Sequence, residues 1–265
     1  MKRLSTLLLL FALALPLAAQ LYHAGERLDY RVSYRAKYFP NTEVGSVTVE
    51  TTSVPTEAGS RYRVEGVART LPTYRWFFNM EDRYTIWVDP ATLRTERFES
   101  RIREGNYTFE SDFCYDWPDS CVRTRWSSRK KPFQEKRLPL TAASMDAVSL
   151  FFNMRSASAD EFTEGAEGHL DMLLEDTVRR ISYRYLGREV KKIRNMGRFN
   201  ALKFECQLGS SEQFSFTDGS MLTLWISDDE NKIPLAIESP VRVGSVQAYL
   251  SGYKGLKYPL TSRIK

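Results

Sequence analysis

A mainly β fold is predicted, as a large curved antiparallel sheet or incomplete β-barrel carrying one short helix. Three observations predict it. Apolar and polar residues alternate with a period of two through most of the chain, which gives strands one buried and one wet face. Turn signals recur between these runs, and only one segment has helical spacing. About a dozen or more short strands make a sheet so wide that it must curl, split into two packed sheets or close. A two-sheet β-sandwich is the alternative.

The first segment stands apart from the fold. Met1-Lys2-Arg3 precedes an apolar run from Leu4 to Leu15, and Ala18-Ala19-Gln20 follow Pro16-Leu17. A basic start, an apolar stretch too short to span a bilayer comfortably and small residues at its end read as a secretory signal peptide over 1–20. The mature chain, 21–265, is then one all-β domain, periplasmic or secreted, with no cysteine at the cleavage region to carry a lipid anchor. ATP, nicotinamide cofactors and nucleic acid are scarce in that compartment. Removing Lys2 and Arg3 lowers the net charge of +5 further, and so mild an excess does not argue for a nucleic-acid binder.

The strands follow in order. Leu28, Tyr30, Val32 and Tyr34 alternate with Asp29, Arg31, Ser33 and Arg35; Val47 and Val49, then Tyr62 and Val64, continue the pattern. Tyr84, Ile86 and Val88 lead to a turn at Asp89-Pro90-Ala91-Thr92. Arg97–Arg103 and Tyr107–Tyr115 flank Glu104-Gly105-Asn106, a hairpin tip. Ser144–Arg155 carries Met145, Val148, Phe151, Phe152 and Met154 at helical spacing, with Ser144 as N-cap. The small, polar, acidic stretch 156–168 is a loop and a possible subdomain boundary. Strands resume at Gly168–Leu174, Val178–Leu186, Val190–Ile193, Ala201–Leu208, Glu212–Phe216, Met221–Ser227, Pro234–Glu238 and Val243–Leu250.

Little in the sequence points to catalysis. His23 and His169 lie in no nucleophile or metal motif, and three scattered cysteines with two histidines are too few for a metal site. No cofactor is expected. Cys114 and Cys121 flank Tyr115-Asp116-Trp117-Pro118-Asp119-Ser120, and a hairpin there could set them opposite one another as a disulfide; Cys206 reads as a buried small hydrophobe. Carboxylate chemistry needs no histidine, so a glycosidase pair is the enzyme alternative. The densest acidic spot, Asp228-Asp229-Glu230-Asn231, is more simply a hairpin turn, and Asp146 a first-turn charge favoured by the helix dipole.

Aromatic and basic residues carry the remaining signal. Tyr74, Trp76, Phe77 and Phe78 cluster; as a strand they would put Trp76 and Phe78 on one face. Arg123, Arg125, Arg129, Lys130, Lys131, Lys136 and Arg137 crowd together with Trp126 and Phe133 among them. The plain readings are core and solvated surface. The functional reading is an apolar or amphipathic ligand, such as a lipid or acyl chain, held in the curved sheet. Trp76, Phe78, Phe151 and Phe152 would line the site, and Arg125, Lys130 and Lys131 would meet a headgroup.

Three segments carry a family resemblance: Gly25–Tyr34 with Val44-Gly45-Ser46-Val47, Asp146–Arg155, and Leu224–Leu235 followed by Val243-Gly244-Ser245. In that order they resemble a bacterial exported family known as domain of unknown function 3108. The resemblance implies an exported antiparallel β protein, similar in shape to the half-barrel of periplasmic lipoprotein carriers, and brings no catalytic residues. The expected function is a non-catalytic envelope protein that binds an amphipathic ligand. The alternatives are an envelope-polysaccharide hydrolase and an adaptor that pairs its edge strands with a protein partner.

Overall fold

Period-two alternation becomes strand almost wherever the sequence carries it. The computed structural model describes residues 22–36, 39–57, 59–153, 155, 163–207, 221–241 and 244–264. In chain order the elements are β1 (Arg27–Ala36), β2 (Phe39–Thr56), β3 (Gly59–Thr70), β4 (Met80–Val88), β5 (Thr95–Glu104), β6 (Tyr107–Asp116), β7 (Cys121–Ser128), β8 (Gln134–Pro139) and β9 (Ser144–Met145). Helix α1 (Ala147–Asn153) follows, then β10 (Glu167–Leu173), β11 (Val178–Ile193), β12 (Gly197–Gln207), β13 (Met221–Ser227), β14 (Pro234–Pro240), β15 (Ser245–Lys254) and β16 (Arg263–Ile264).

All of these strands form one sheet rather than the two of a sandwich. Its order is β8-β7-β6-β5-β4-β3-β2-β1-β15-β14-β13-β12-β11-β10-β9, with β16 paired to β12. Among the described residues only β9 runs parallel to its neighbour, β10. At the centre β1 pairs with both β2 and β15, so strands from the two ends of the sequence share a ladder. The sheet is unclosed but curls hard. Arg194, just past β11, meets Glu43 of β2 at 3.3 Å although six ladder steps separate those strands. Near the open seam the β10–β11 turn leans on β7 and β8: Lys136 donates to the Asp176 carbonyl at 2.8 Å, and the Thr124 hydroxyl to that of Glu175.

The core follows from register. Val64, Ile86, Phe98 and Phe113 lie directly opposite one another across β3 to β6, and two positions along Tyr115, Val122 and Leu138 continue the same cluster across β6 to β8. Helix α1 sets Val148 and Phe152 against this row, and Phe152 stacks on Tyr22 with centroids 4.5 Å apart. A second cluster joins Leu28, Tyr30, Phe199, Leu235 and Leu250, and Phe151 touches both. Burying a phenylalanine side chain stabilises by about 1.5–3 kcal/mol, so the helix contributes as packing although it is too short to persist alone.

The structure corrects several expectations. The helix is capped by Asp146, not Ser144; Ser144 instead belongs to β9. Asp146 Oδ1 accepts the N–H groups of Val148 and Ser149 at 2.9 Å, and its own N–H donates to Ser149 Oγ at 2.9 Å, a reciprocal capping arrangement. Tyr115 donates to Oδ2 at 2.8 Å. Burial pushes the Asp146 carboxyl above its ordinary value, with these hydrogen bonds opposing the shift. Val178–Leu186 and Val190–Ile193 are one strand with an irregularity between Tyr185 and Arg188, where Gly187 takes a positive φ of 94°. Cys114 faces Arg123 and Cys121 faces Asp116, so the two thiols are offset by two positions in the ladder and both remain free. The signal segment 1–20 and Glu212–Phe216 lie outside the described residues.

The lower end of the sheet is tied together by a buried ion pair. Arg155, just beyond α1, gives its guanidinium to Glu26 in two bonds of 2.6 and 2.8 Å, with side chains only 5% and 2% exposed. Its Nε donates to the Asn231 carbonyl at 3.0 Å. Asn231 in turn bonds the Tyr258 and Pro259 carbonyls and accepts the Tyr258 N–H. Asp229 holds the Asn231 N–H and Ser227 Oγ with one oxygen and the Ser262 N–H with the other. The acidic turn predicted from the sequence is therefore a structural hub. It fastens the helix exit, the start of β1 and the C-terminal segment together.

At the opposite end the inner face of β4 and β5 turns polar. Asp82 is buried on β4, one of its oxygens accepting the Arg103 N–H at 3.2 Å. Burial, with the Glu104 charge adding to it, pushes its carboxyl up to about 6. The folded state thus binds this proton more tightly than the unfolded chain does. The resulting stabilisation is whole below the ordinary value of 3.8 and disappears as pH rises through about 6.

Three predictions follow from this architecture. Arg155→Met should cost ~3–5 kcal/mol in urea unfolding because it strands Glu26, and Glu26→Gln/Arg155→Met should recover part of that loss. Asp146→Ala should cost about 1–2 kcal/mol by the same measure, because it orphans the first-turn N–H groups. Asp82→Asn, neutral at every pH, should raise the thermal midpoint above pH 6 and flatten its decline between 3.8 and 6.

Candidate functional site

In an antiparallel meander, loops that follow alternate strands emerge at the same end. The β3–β4 loop (71–79), the β5–β6 turn (105–106) and the β7–β8 loop (129–133) therefore stand side by side, opposite the end tied by Arg155. Hydrogen bonds join the three: the Gly105 N–H donates to the Asn79 carbonyl at 2.7 Å, and Arg129 Nη1 to that of Asn106 at 3.3 Å. The Arg129 N–H also reaches the Thr108 carbonyl at 3.2 Å.

The first loop is a built projection. Pro72 opens a single 3₁₀ turn over Pro72–Tyr74, where its missing N–H costs nothing. The N–H groups of Phe77 and Phe78 return to the Tyr74 carbonyl at 3.0 and 3.1 Å, and the Leu71 N–H anchors the base on the Val44 carbonyl at 2.8 Å. This turn pushes the aromatic side chains outward: Trp76 is 83% exposed, Phe77 80% and Phe78 45%, with Arg75 exposed beside them. Two loops away Phe133 is 57% exposed next to exposed Arg129, Lys130 and Lys131. Arg125, on β7, lays its guanidinium 5.0 Å from the Phe133 ring centroid and 3.7 Å from Glu135. Neither loop segment, 71–79 or 129–133, contains an acidic residue.

The candidate residues thus divide. Trp76 and Phe78, expected on an inward strand face, sit on the outer end of the sheet, because Pro72 turns the chain before a strand can form. They share that end with Lys130 and Lys131, and Arg125 adjoins it. Phe151 and Phe152 are elsewhere: Phe152 is completely buried in the core and Phe151 packs against two clusters. Sequence reasoning missed Arg75 and the prominence of Phe77; the signal was Pro72 ahead of an unbroken aromatic run. It also missed the Glu26–Arg155 pair, signalled by an arginine directly after the apolar helical segment.

Concavities elsewhere among the described residues differ in size and lining. A pocket of about 140 Å³ between Tyr22, Trp117, Ser149 and Asn153 is smaller than the roughly 300–1,000 Å³ of ordinary ligand sites. A wider dish of about 680 Å³ combines Tyr115, Trp117 and Pro118 with charged residues such as Glu96, Arg123 and Arg137. Asp146 and Asp229 spend their carboxylate oxygens on backbone and hydroxyl donors. Among the described residues no group of three or more His, Cys, Asp or Glu side chains is placed to hold a metal ion, and no helix is long and apolar enough to cross a membrane.

Comparison with solved structures returns a β-barrel-like protein of domain of unknown function DUF1849 from Brucella abortus, 11% identical, with a TM-score of 0.54 over 88% of this chain and 98% of that one. At that identity the likeness shows the fold alone. A protein described as a "putative lipoprotein" from Parabacteroides distasonis aligns over the same shares at 11% identity, with a TM-score of 0.30. No curated protein matches the chain. The family model "Protein of unknown function (DUF3108)" matches residues 29–251, so the chain belongs to the DUF3108 family.

Proposed function

We propose that this chain is a non-catalytic envelope protein that binds an amphipathic molecule, a lipid or acyl chain with an anionic headgroup. The contact is made at the loop end of the sheet rather than in its interior. One observation carries the reading: four exposed aromatic side chains, Trp76, Phe77, Phe78 and Phe133, share one end with Arg75, Arg129, Lys130 and Lys131. Large exposed aromatics cost solubility and are retained where an apolar partner covers them, and the cations complement an anionic headgroup. The signal-like segment 1–20 supports an address where such lipids are abundant. The burial of Phe152 and the packing of Phe151 against two clusters favour the exposed loop end over the Phe151 and Phe152 lining that the sequence suggested.

Native mass spectrometry of the mature protein, purified gently from its own compartment and followed by lipid extraction, tests this. A discrete adduct released on denaturation is expected, reduced by Trp76→Ala/Phe78→Ala and by Lys130→Glu/Lys131→Glu. Phe151→Ala should lower the thermal midpoint and leave the adduct in place. If Phe151→Ala abolished the adduct while the loop variants kept it, the ligand would lie inside the sheet and the surface assignment would be wrong.

A further inference from the structure

Resting on that reading of the same residues, we infer that the loop end docks on an anionic bilayer surface, which makes this a peripheral membrane-binding protein. Its footprint separates a bilayer from a single lipid. Measured along the curving sheet, the centre of the β3–β4 loop lies four strand spacings from that of the β7–β8 loop, an arc of roughly 19 Å at about 4.8 Å per strand. That is wider than one phospholipid headgroup, and the aromatic and basic groups lie at both ends of it rather than converging on a point. Trp and Phe rings suit the membrane–water interface, where an apolar body enters the acyl boundary, and lysine and arginine add attraction to anionic headgroups. Stable peripheral attachment generally takes two such signals together.

The platform is also suited to act as one unit. The bonds from Gly105 to Asn79 and from Arg129 to Asn106 hold the three loops in fixed relation, so aromatic insertion and headgroup contact occur in one orientation. The nearby acidic turn at Glu175 and Asp176 meets β7 and β8 through its backbone carbonyls, at Thr124 and Lys136 in mid-strand, and the Glu135 carboxylate beside Phe133 lies 3.7 Å from the Arg125 guanidinium. In the docked state the strands stand on the bilayer, and the end tied by Arg155 and Glu26 points away from it.

Flotation of the full mature chain with vesicles tests the inference. One set is phosphatidylcholine alone and the other equal parts phosphatidylcholine and phosphatidylglycerol. Binding to the mixed vesicles is expected, weaker on phosphatidylcholine alone and weakened as salt shortens the screening length from about 10 Å at 0.1 M to 3 Å at 1 M. Trp76→Ser/Phe77→Ser and Lys130→Glu/Lys131→Glu should each lower it about tenfold or more, and thermal midpoints should hold because these side chains are exposed. Trp76→Phe should keep binding but lose the blue shift of tryptophan emission that insertion produces. Flotation that neither double variant reduces would overturn the inference. So would failure to float while the lipid adduct persists, which leaves the single-ligand reading standing; loss of both removes both.

Discussion

Everything at the lower end of this sheet depends on one buried guanidinium. Arg155 meets Glu26 at the start of β1 and the Asn231 carbonyl in the β13–β14 turn. Two charges taken out of water are costly, and their mutual attraction offsets this only when the geometry is good and the remaining donors are satisfied. Here two guanidinium nitrogens take the two carboxylate oxygens and a third takes a carbonyl. A pair of this kind gives modest net stability and high specificity. The helix exit, the first strand and a turn far along the chain must all be in place before the charge is satisfied.

The same logic recurs at the helix entrance. Asp146 is buried where an ion would be costly, and it is surrounded by the Val148 and Ser149 N–H groups, the Ser149 hydroxyl and the Tyr115 hydroxyl. A seven-residue helix has too few internal hydrogen bonds to form alone. It is fixed at its start by Asp146, beyond its end by Arg155, and along its length by Phe152 on Tyr22. The helix is therefore a plug clamped at both ends. It packs on the row of Val64, Ile86, Phe98 and Phe113 through Val148 and Phe152.

Committing one end of the sheet to the plug divides the molecule. The Glu26 and Asp146 carboxylates, the Asp229 turn and the C-terminal segment are engaged below. The opposite end consists of hairpin loops whose apolar side chains have no place in the core. In such a molecule aromatic residues on a short, hydrogen-bonded projection are unlike a frayed loop: the Phe77 and Phe78 N–H groups are bonded, and the Trp76 and Phe77 rings meet edge-on while both stay exposed.

The sequence by itself determined the strands, most of the turns and the family. Strand periodicity depends only on which side chains must be dry, and a turn such as Asp89–Thr92 is closed by its own Asp89 side chain bonding the Ala91 and Thr92 N–H groups. The candidate site was half legible. Its residue types were visible as an aromatic run and a basic run, but not that the two runs meet. Only the tertiary structure decided that, because ladder order places loops 71–79 and 129–133 at one end although residues 80–128 lie between them. It also decided that Phe152 is core, that Cys114 and Cys121 are out of register, and that Glu26 and Arg155 are partners across 129 positions. Such contacts depend on register and sheet curvature, which are collective properties of the whole sheet that no local window of residues encodes.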